Sequence, residues 1–385
     1  MSITARALQT PPVGRRPTGP LTVGVEEEFL LVDRGTRAPA GRAPAVLADA
    51  RQILGERAQS EFFTVQVETC TVPATRLTDL YADLARSRRV MNEAAAASGC
   101  LLVATGTPPI APPGPLTVTE GERYRRISER YAQLLADELP VMCGCHVHVG
   151  VDSRGQALAL ANHMGPWLPV LAALAANSPY LDGHDTGYAA RRAVDQGKWP
   201  TTGPAPLVDE AGYEHTVSDL VRRGVLLDRR MLYWYARPSE HVPTLEIRVA
   251  DSNADLDTVV LLAALVRGLA ATCLHRIDAG LPAPRPAAAR LRRAYESAAR
   301  YGLSSPDRTP TGPGWAGRTG LGRLLAFAGP ALAAHGDLAW CTQAAARLLA
   351  AGTGADRQRR AYRAGGGDLT TVVDDLAATT AAACG

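Results

Sequence analysis

Three stretches, widely separated along the chain, carry the same two-faced pattern. In Val23-Gly24-Val25-Glu26-Glu27-Glu28-Phe29-Leu30-Leu31, an extended backbone puts Glu26 and Glu28 on one face and Val23, Val25, Phe29 and Leu31 on the other. In Val141-Met142-Cys143-Gly144-Cys145-His146-Val147-His148-Val149, the two histidines share a face opposed to Val141, Cys143, Cys145, Val147 and Val149. In Leu245-Glu246-Ile247-Arg248-Val249, Glu246 and Arg248 oppose three aliphatic side chains. One such strand reads as a solvated edge of a sheet. Three of them, each aiming two metal- or phosphate-competent groups away from the core, describe a pocket on the open face of a sheet whose other face is covered. The run 62–69 adds Gln66 and Glu68 on its polar side. Glu61 joins them only across a bulge, or if it precedes the regular strand.

Around these strands the chain predicts helices over 45–58, 78–98, 121–138 and 155–176, with a further strand over 100–105. A Pro/Gly-rich loop follows at 106–117, and 177–214 reads as a long polar loop, long enough to be a lid or a binding loop. Strands at 230–236 and 243–250 come next. From 253 onwards the pattern is helical, broken by Pro and Gly at 281–286 and 310–316. Helices inserted between strands and then following them predict an α+β fold, with helices packed over a largely antiparallel sheet.

Composition narrows the function. A chain of 385 residues, 46% hydrophobic and 21% charged, can bury a large core without disulfides or metals as staples. Its net charge of +3 comes with no dense basic block and only 5% aromatic residues, so no nucleic-acid partner is expected. No run of 18 apolar residues occurs, so no membrane span is expected. Seven cysteines with irregular spacing and no C-x-x-C pair suggest reduced thiols in a cytoplasmic protein. Cys143 and Cys145 face away from His146 and His148, so they read as buried thiols and not as partners in a zinc site. Residues 1–20, with Arg15, Arg16 and several prolines, read as a disordered lead to a single unit over 21–385, whose part from about 253 is helical.

Carboxylates are the ligand type of hard divalent cations, and magnesium is usually held by a few of them together with substrate phosphates. A histidine among them suits manganese better than magnesium. Arginine matches phosphate oxygens geometrically. Glutamates, histidine and arginine on one sheet face therefore suggest nucleotide phosphates with metal ions between them. Neither a G-x-x-x-x-G-K-[ST] nor a G-x-G-x-x-G motif is present, so any nucleotide would be held by metals and arginines.

The motifs Gly24-Val25-Glu26-Glu27-Glu28-Phe29, Gln66-Val67-Glu68, Gly144-Cys145-His146-Val147-His148 and Leu245-Glu246-Ile247-Arg248 resemble those of the glutamine synthetase/glutamate–cysteine ligase superfamily. More closely, with Asp185-Thr186-Gly187-Tyr188, Trp199-Pro200 and Arg237-Pro238-Ser239, the chain resembles the bacterial carboxylate-amine ligases, or type 2 glutamate–cysteine ligases, over about 21–365. The resemblance implies a glutamine synthetase-like concave sheet, with nucleotide entering one end of a funnel and substrate the other. It implies ATP and Mg2+ or Mn2+ as cofactors. It assigns Glu26, His146 and Glu246 to one metal and Glu28, Glu61 and Glu68 to another. Arg248 would contact the transferred phosphoryl group, His148 the nucleotide phosphates, and Arg192 a phosphate or the carboxylate substrate. The small-molecule partners would be a glutamate-like acid and an amine, and a homodimer is compatible with the resemblance. Ala190 stands where the family often has serine, and Tyr235 where many members have aspartate, which points to a different amine.

The expected activity is ATP-dependent amide formation, most simply a γ-glutamyl bond made through an acyl phosphate. Two alternatives remain at this stage: a metal-dependent amide hydrolase using the His-x-His strand, and a nucleotide-binding homologue without catalysis.

Overall fold

The computed structural model describes residues 21–136, 140–305 and 317–382. The proposed lead at 1–20 and the break at 310–316 lie outside the described residues. β1 (Val23–Asp33) is followed by α1 (Ala43–Leu54), the short β2 (Ala58–Ser60) and β3 (Gln66–Cys70). Then come α2 (Leu77–Ala97), β4 (Cys100–Val103), α3 (Glu122–Arg130), α4 (Ala132–Ala136) and β5 (Gly144–Gly150). α5 (Arg154–Met164) and α6 (Leu168–Leu174) lead to a small hairpin, β6 (Tyr180–Leu181) and β7 (His184–Asp185). After α7 (Arg191–Gln196) and α8 (Glu210–Arg222), the chain returns through β8 (Ala236–Pro238) and β9 (Thr244–Asp251). Beyond them the described elements are helical: α9 (Leu256–Asp278), α10 (Ala288–Tyr301), α11 (Arg318–Ala334), α12 (Leu338–Ala351), α13 (Gly354–Ala364) and α14 (Leu369–Ala382).

The main sheet runs in the order β2-β3-β1-β5-β9-β8, with β4 also paired to β1. All of its pairings are antiparallel. The α+β architecture expected from the sequence is therefore the one observed. Val23, Val25, Val147, Val149, Leu245 and Ile247 form one buried layer with α9, which is itself buried along most of its length. A helix that is apolar all round belongs in a core or a membrane. α9 and the α5–α6 stretch are apolar and long enough to cross a membrane, and 83% of each apolar window is buried inside the protein.

Several elements differ from the expected ones for identifiable reasons. The helix expected over 45–58 stops at Leu54, because Gly55 takes a positive φ of 59°. Gly55–Arg57 then make a single 3-10 turn, and Ala58 opens β2, an edge strand paired with β3. The strand expected over 62–69 is regular only from Gln66. The helix expected over 155–176 is interrupted at Gly165–Trp167 by a tight turn around Pro166, and Pro169 then sits in the first turn of α6, where its missing N–H costs nothing. The stretch 177–214 is no open loop. It contains the β6–β7 hairpin, α7 and the start of α8, which Asp209 caps by accepting the Gly212 N–H at 2.8 Å. The strand expected over 230–236 shrinks to Ala236–Pro238.

β1 also carries a charge on its covered face. Glu27 has the parity of Val25 and Phe29, and it is fully buried against Arg88 of α2. The guanidinium holds both carboxylate oxygens, Nε to Oε2 at 3.1 Å and Nη2 to Oε1 at 2.5 Å. It also donates to the carbonyls of Asn253 and Ala254, both at 2.6 Å, so α2, β1 and the β9–α9 turn meet at one side chain. Removing one partner of such a pair strands a buried charge. Arg88→Met is expected to cost about 3–5 kcal/mol in urea unfolding. The double variant Arg88→Met/Glu27→Leu is expected to be more stable than Arg88→Met alone, because no unpaired carboxylate remains.

Candidate active site

The strand registers decide which polar side chains meet. Glu26 pairs across to His146, His148 to Glu246, Glu28 to Glu68, and Arg237 to Glu246. A register shift between Cys145 and Val147 lets His146 reach over β9. Glu61 follows β2 and precedes β3, and it turns into the same space. All nine residues singled out from the sequence line one cavity of about 330 Å³: Glu26, Glu28, Glu61, Glu68, His146, His148, Arg192, Glu246 and Arg248. The sequence reading did not assign Tyr124, Gln196, Tyr233 or Arg237 to this wall, yet they line it too. Arg237 had a visible signal, since its parity on β8 matches that of Glu246 on β9.

Within the cavity, His146 Nδ1 lies 3.2 Å from Glu26 Oε2 and 3.9 Å from Glu246 Oε1, while its Nε2 lies 3.7 Å from Glu28 Oε1. His148 Nε2 is 3.3 Å from Glu26 Oε1, and its Nδ1 is fixed by the Thr244 hydroxyl at 2.8 Å. Glu246 is gripped by Arg237, Nε to Oε2 at 2.8 Å, and by Arg248 Nη1. Ligand atoms of Glu26, His148 and Glu246 lie within 4.8 Å of one another, as do those of Glu26, Glu68 and His146. The tightest groupings thus draw on the expected residues in a different partition, with Glu26 shared and His148 beside Glu246.

The charges here are unbalanced. Burial opposes ionisation of Glu26, but hydrogen bonds and charge from His146 and His148 hold it well below the usual carboxylate range. Glu246 is likewise held low against burial by Arg237 and Arg248. Glu68 goes the other way. Burial, and then the carboxylates of Glu61, Glu26 and Glu28, push it well above its ordinary value. Burial also raises Glu28 and Glu61. His146 is lowered by burial and by Arg248, which keeps its imidazole neutral and able to ligate. Its buried Nε2 has no hydrogen-bond partner, whereas His148 is raised above its ordinary value against burial by Glu26. The neutral His146 imidazole with its unpartnered Nε2, among carboxylates too crowded to ionise together, fits one or more divalent cations held by Glu26, Glu28, Glu61, Glu68, His146 and Glu246.

Arg192 approaches from α7. It is buried, and its Nη1 lacks a hydrogen-bond partner. Ser178 accepts its backbone N–H at 3.1 Å, and the same hydroxyl donates to Asp251 at 2.7 Å. Its guanidinium crosses Gly144 so closely that a Cβ there would sit 2.2 Å from Nη2. That explains a glycine inside an otherwise apolar strand. The Gly144 N–H also donates to Glu28 Oε2 at 2.6 Å.

The family described as glutamate–cysteine ligase family 2 matches residues 22–375. A Salinispora arenicola protein provisionally named glutamate–cysteine ligase 2 is 41% identical over 369 residues, which is 94% of this chain and 95% of that protein. Among solved structures, the glutamate–cysteine ligase of Francisella tularensis in complex with AMP superposes with a TM-score of 0.70 at 13% identity, covering 95% of this chain and 89% of that one. The bifunctional glutathione synthetase of Pasteurella multocida superposes with a TM-score of 0.68 at 15% identity over 94% of this chain. The chain spans about half of that protein, 52% of its length. These two likenesses concern the fold.

The raised carboxyls predict a proton linkage. Without metal they retain protons that a bound cation must displace, so binding releases protons and tightens as pH rises. Titration with Mn2+ or Mg2+ in weakly buffered solution is expected to acidify it. The apparent Kd is expected to fall from about pH 5 to about pH 8.

Proposed function

Because the chain belongs to glutamate–cysteine ligase family 2, we propose that it is an ATP-dependent ligase that joins a glutamate-like carboxylate to an amine through an acyl phosphate. The observation that carries this reading is the line of chemistry across β3, β1, β5, β9 and β8. It supports the reading because a cluster of carboxylates lies beside the guanidiniums of Arg192 and Arg248 in one cavity.

The cleft at the Gly24–His148 end offers room for the nucleotide base. It measures about 490 Å³, and Glu26 and His148 line both it and the metal cavity. The triphosphate then runs over His148 towards β9. Divalent cations, which Glu26, Glu28, Glu61, Glu68, His146 and Glu246 would hold, would supply positive charge against the phosphates. Arg248 lies on the floor of the cavity with its Nε unpartnered and buried, placed to meet charge on the phosphoryl group in transfer. Burial opposes charge on this guanidinium, but the neighbouring Glu246 and Glu28 outweigh it and keep it charged. Arg192 comes from the opposite end with its free Nη1 and takes the carboxylate of the acid or the oxyanion formed when the amine adds. The closed wall of Trp199, Tyr124 and Tyr233 limits water, which would otherwise hydrolyse the acyl phosphate.

The experiment is ADP release by the purified protein with ATP, Mg2+ or Mn2+, glutamate and hydroxylamine, followed by detection of glutamyl hydroxamate. Turnover that needs ATP and the acid supports the ligase. Amide hydrolysis without ATP, or nucleotide binding with no ADP released under any pairing, overturns it. Glu246→Gln is expected to lower this turnover by about a hundredfold or more, since it removes a ligand and releases Arg237 and Arg248 from their common partner. Gly144→Ala is expected to displace Arg192, whose guanidinium the added Cβ would meet first, and to lower turnover.

A further inference from the structure

A second cavity lies behind α7. It encloses about 940 Å³, within the range of about 300–1,000 Å³ typical of sites for small organic ligands, and far more than cysteine would fill. Leu168, Val194, Leu207, Tyr235, Val249 and Leu291 supply much of its lining. α7 stands between the two cavities, which meet at its C-terminal end. Arg192 faces the metal cavity, Ala193 and Val194 face the apolar one, and Gln196 lines both. The apolar cavity therefore begins at the end of the active site where Arg192 stands, opposite the cleft beside His148.

Its chemistry is one-sided. Glu296 is the only carboxylate in the lining, and it is exposed near the mouth together with Arg285, Arg292 and Arg300. Among the described residues, the lining away from the mouth offers no carboxylate to pair with a second ammonium. Tyr235 and Tyr295 pack with ring centroids 4.8 Å apart, and the buried Tyr295 hydroxyl has no hydrogen-bond partner. Tyr235, marked in the sequence as a residue of the substrate funnel, thus does not line the metal cavity but stands in the wall of this one.

We propose that this cavity is the acceptor pocket of the ligase, and that it selects a primary amine with a large apolar body, such as an arylalkylamine. The proposal rests on the ligase reading above. The amine enters as an ammonium and gives one proton to water. Its nitrogen lone pair then forms the C–N bond to the acyl carbon. The acyl C–O bond breaks with its electron pair going to phosphate, which carries off the second nitrogen proton. Gln196 sits at the junction of the cavities, and the apolar body occupies the space between α7 and α10.

The test measures kcat/KM with ATP and glutamate for phenethylamine, ethylamine, cysteine and hydroxylamine, in the parent and in Leu291→Trp. Leu291 lines the cavity from α10 and touches neither the metal nest nor Arg192 in the arrangement described. Phenethylamine is expected to exceed both ethylamine and cysteine by about tenfold or more. Leu291→Trp is expected to reduce phenethylamine use by about tenfold while leaving hydroxylamine turnover unchanged, which also reports that the variant is folded. Equal or better use of cysteine or ethylamine by the parent overturns the pocket assignment and leaves the ligase standing. So does a Leu291→Trp variant that loses phenethylamine and hydroxylamine turnover in equal measure. Absence of turnover with every amine, hydroxylamine included, overturns the ligase reading and this proposal with it.

Discussion

β1 carries ionisable groups on both of its faces, and each face must find its own positive charge. Below the sheet, Glu27 is answered by Arg88 within the fold, and that guanidinium also ties down the turn between β9 and α9. Above it, Glu26 is answered by two histidines, but Glu28, Glu61 and Glu68 are not answered in full. The protein thus spends a built-in cation on the structural face and leaves the other face short of one. A carboxylate cluster that cannot fully ionise alone has the chemistry that the proposed external cation would complete.

The two arginines of the groove differ in how they are held. Arg248 rises from the sheet itself and shares Glu246 with Arg237, so its position is set by strand register. Arg192 is delivered by a short helix whose backbone is anchored through Ser178 to Asp251, and it passes over a glycine that leaves it room. The same helix lines the apolar cavity, so Arg192 and one wall of that cavity are held by a single element.

Much of this was readable before the fold was known. A strand alternates strictly, so the pairs Glu26/Glu28, His146/His148 and Glu246/Arg248 had to share faces once their apolar neighbours were buried. Where the reading failed, the signals were weaker. β2 is three residues long and is held by its edge pairing with β3. α8 begins at an Asp cap that a polar stretch concealed. Proline at 166 and 169 broke one expected helix into two without destroying either.

The sequence by itself determined the α+β class, the covered and open faces of the main strands, and the sharing of the open face by Glu26 and Glu28, His146 and His148, and Glu246 and Arg248, because these follow from period-two alternation and residue chemistry; Glu61 and Arg192 came in only through the family resemblance. Only the tertiary structure decided that Glu26 faces His146 and His148 faces Glu246, since strand order and register depend on pairings between distant segments. It alone showed that Glu27 is neutralised from below, that Arg192 lies across Gly144, and that Tyr235 belongs to a separate apolar chamber. Each of those facts is a contact between elements remote in sequence, and no local pattern encodes a distance between two elements that meet only after the core has closed.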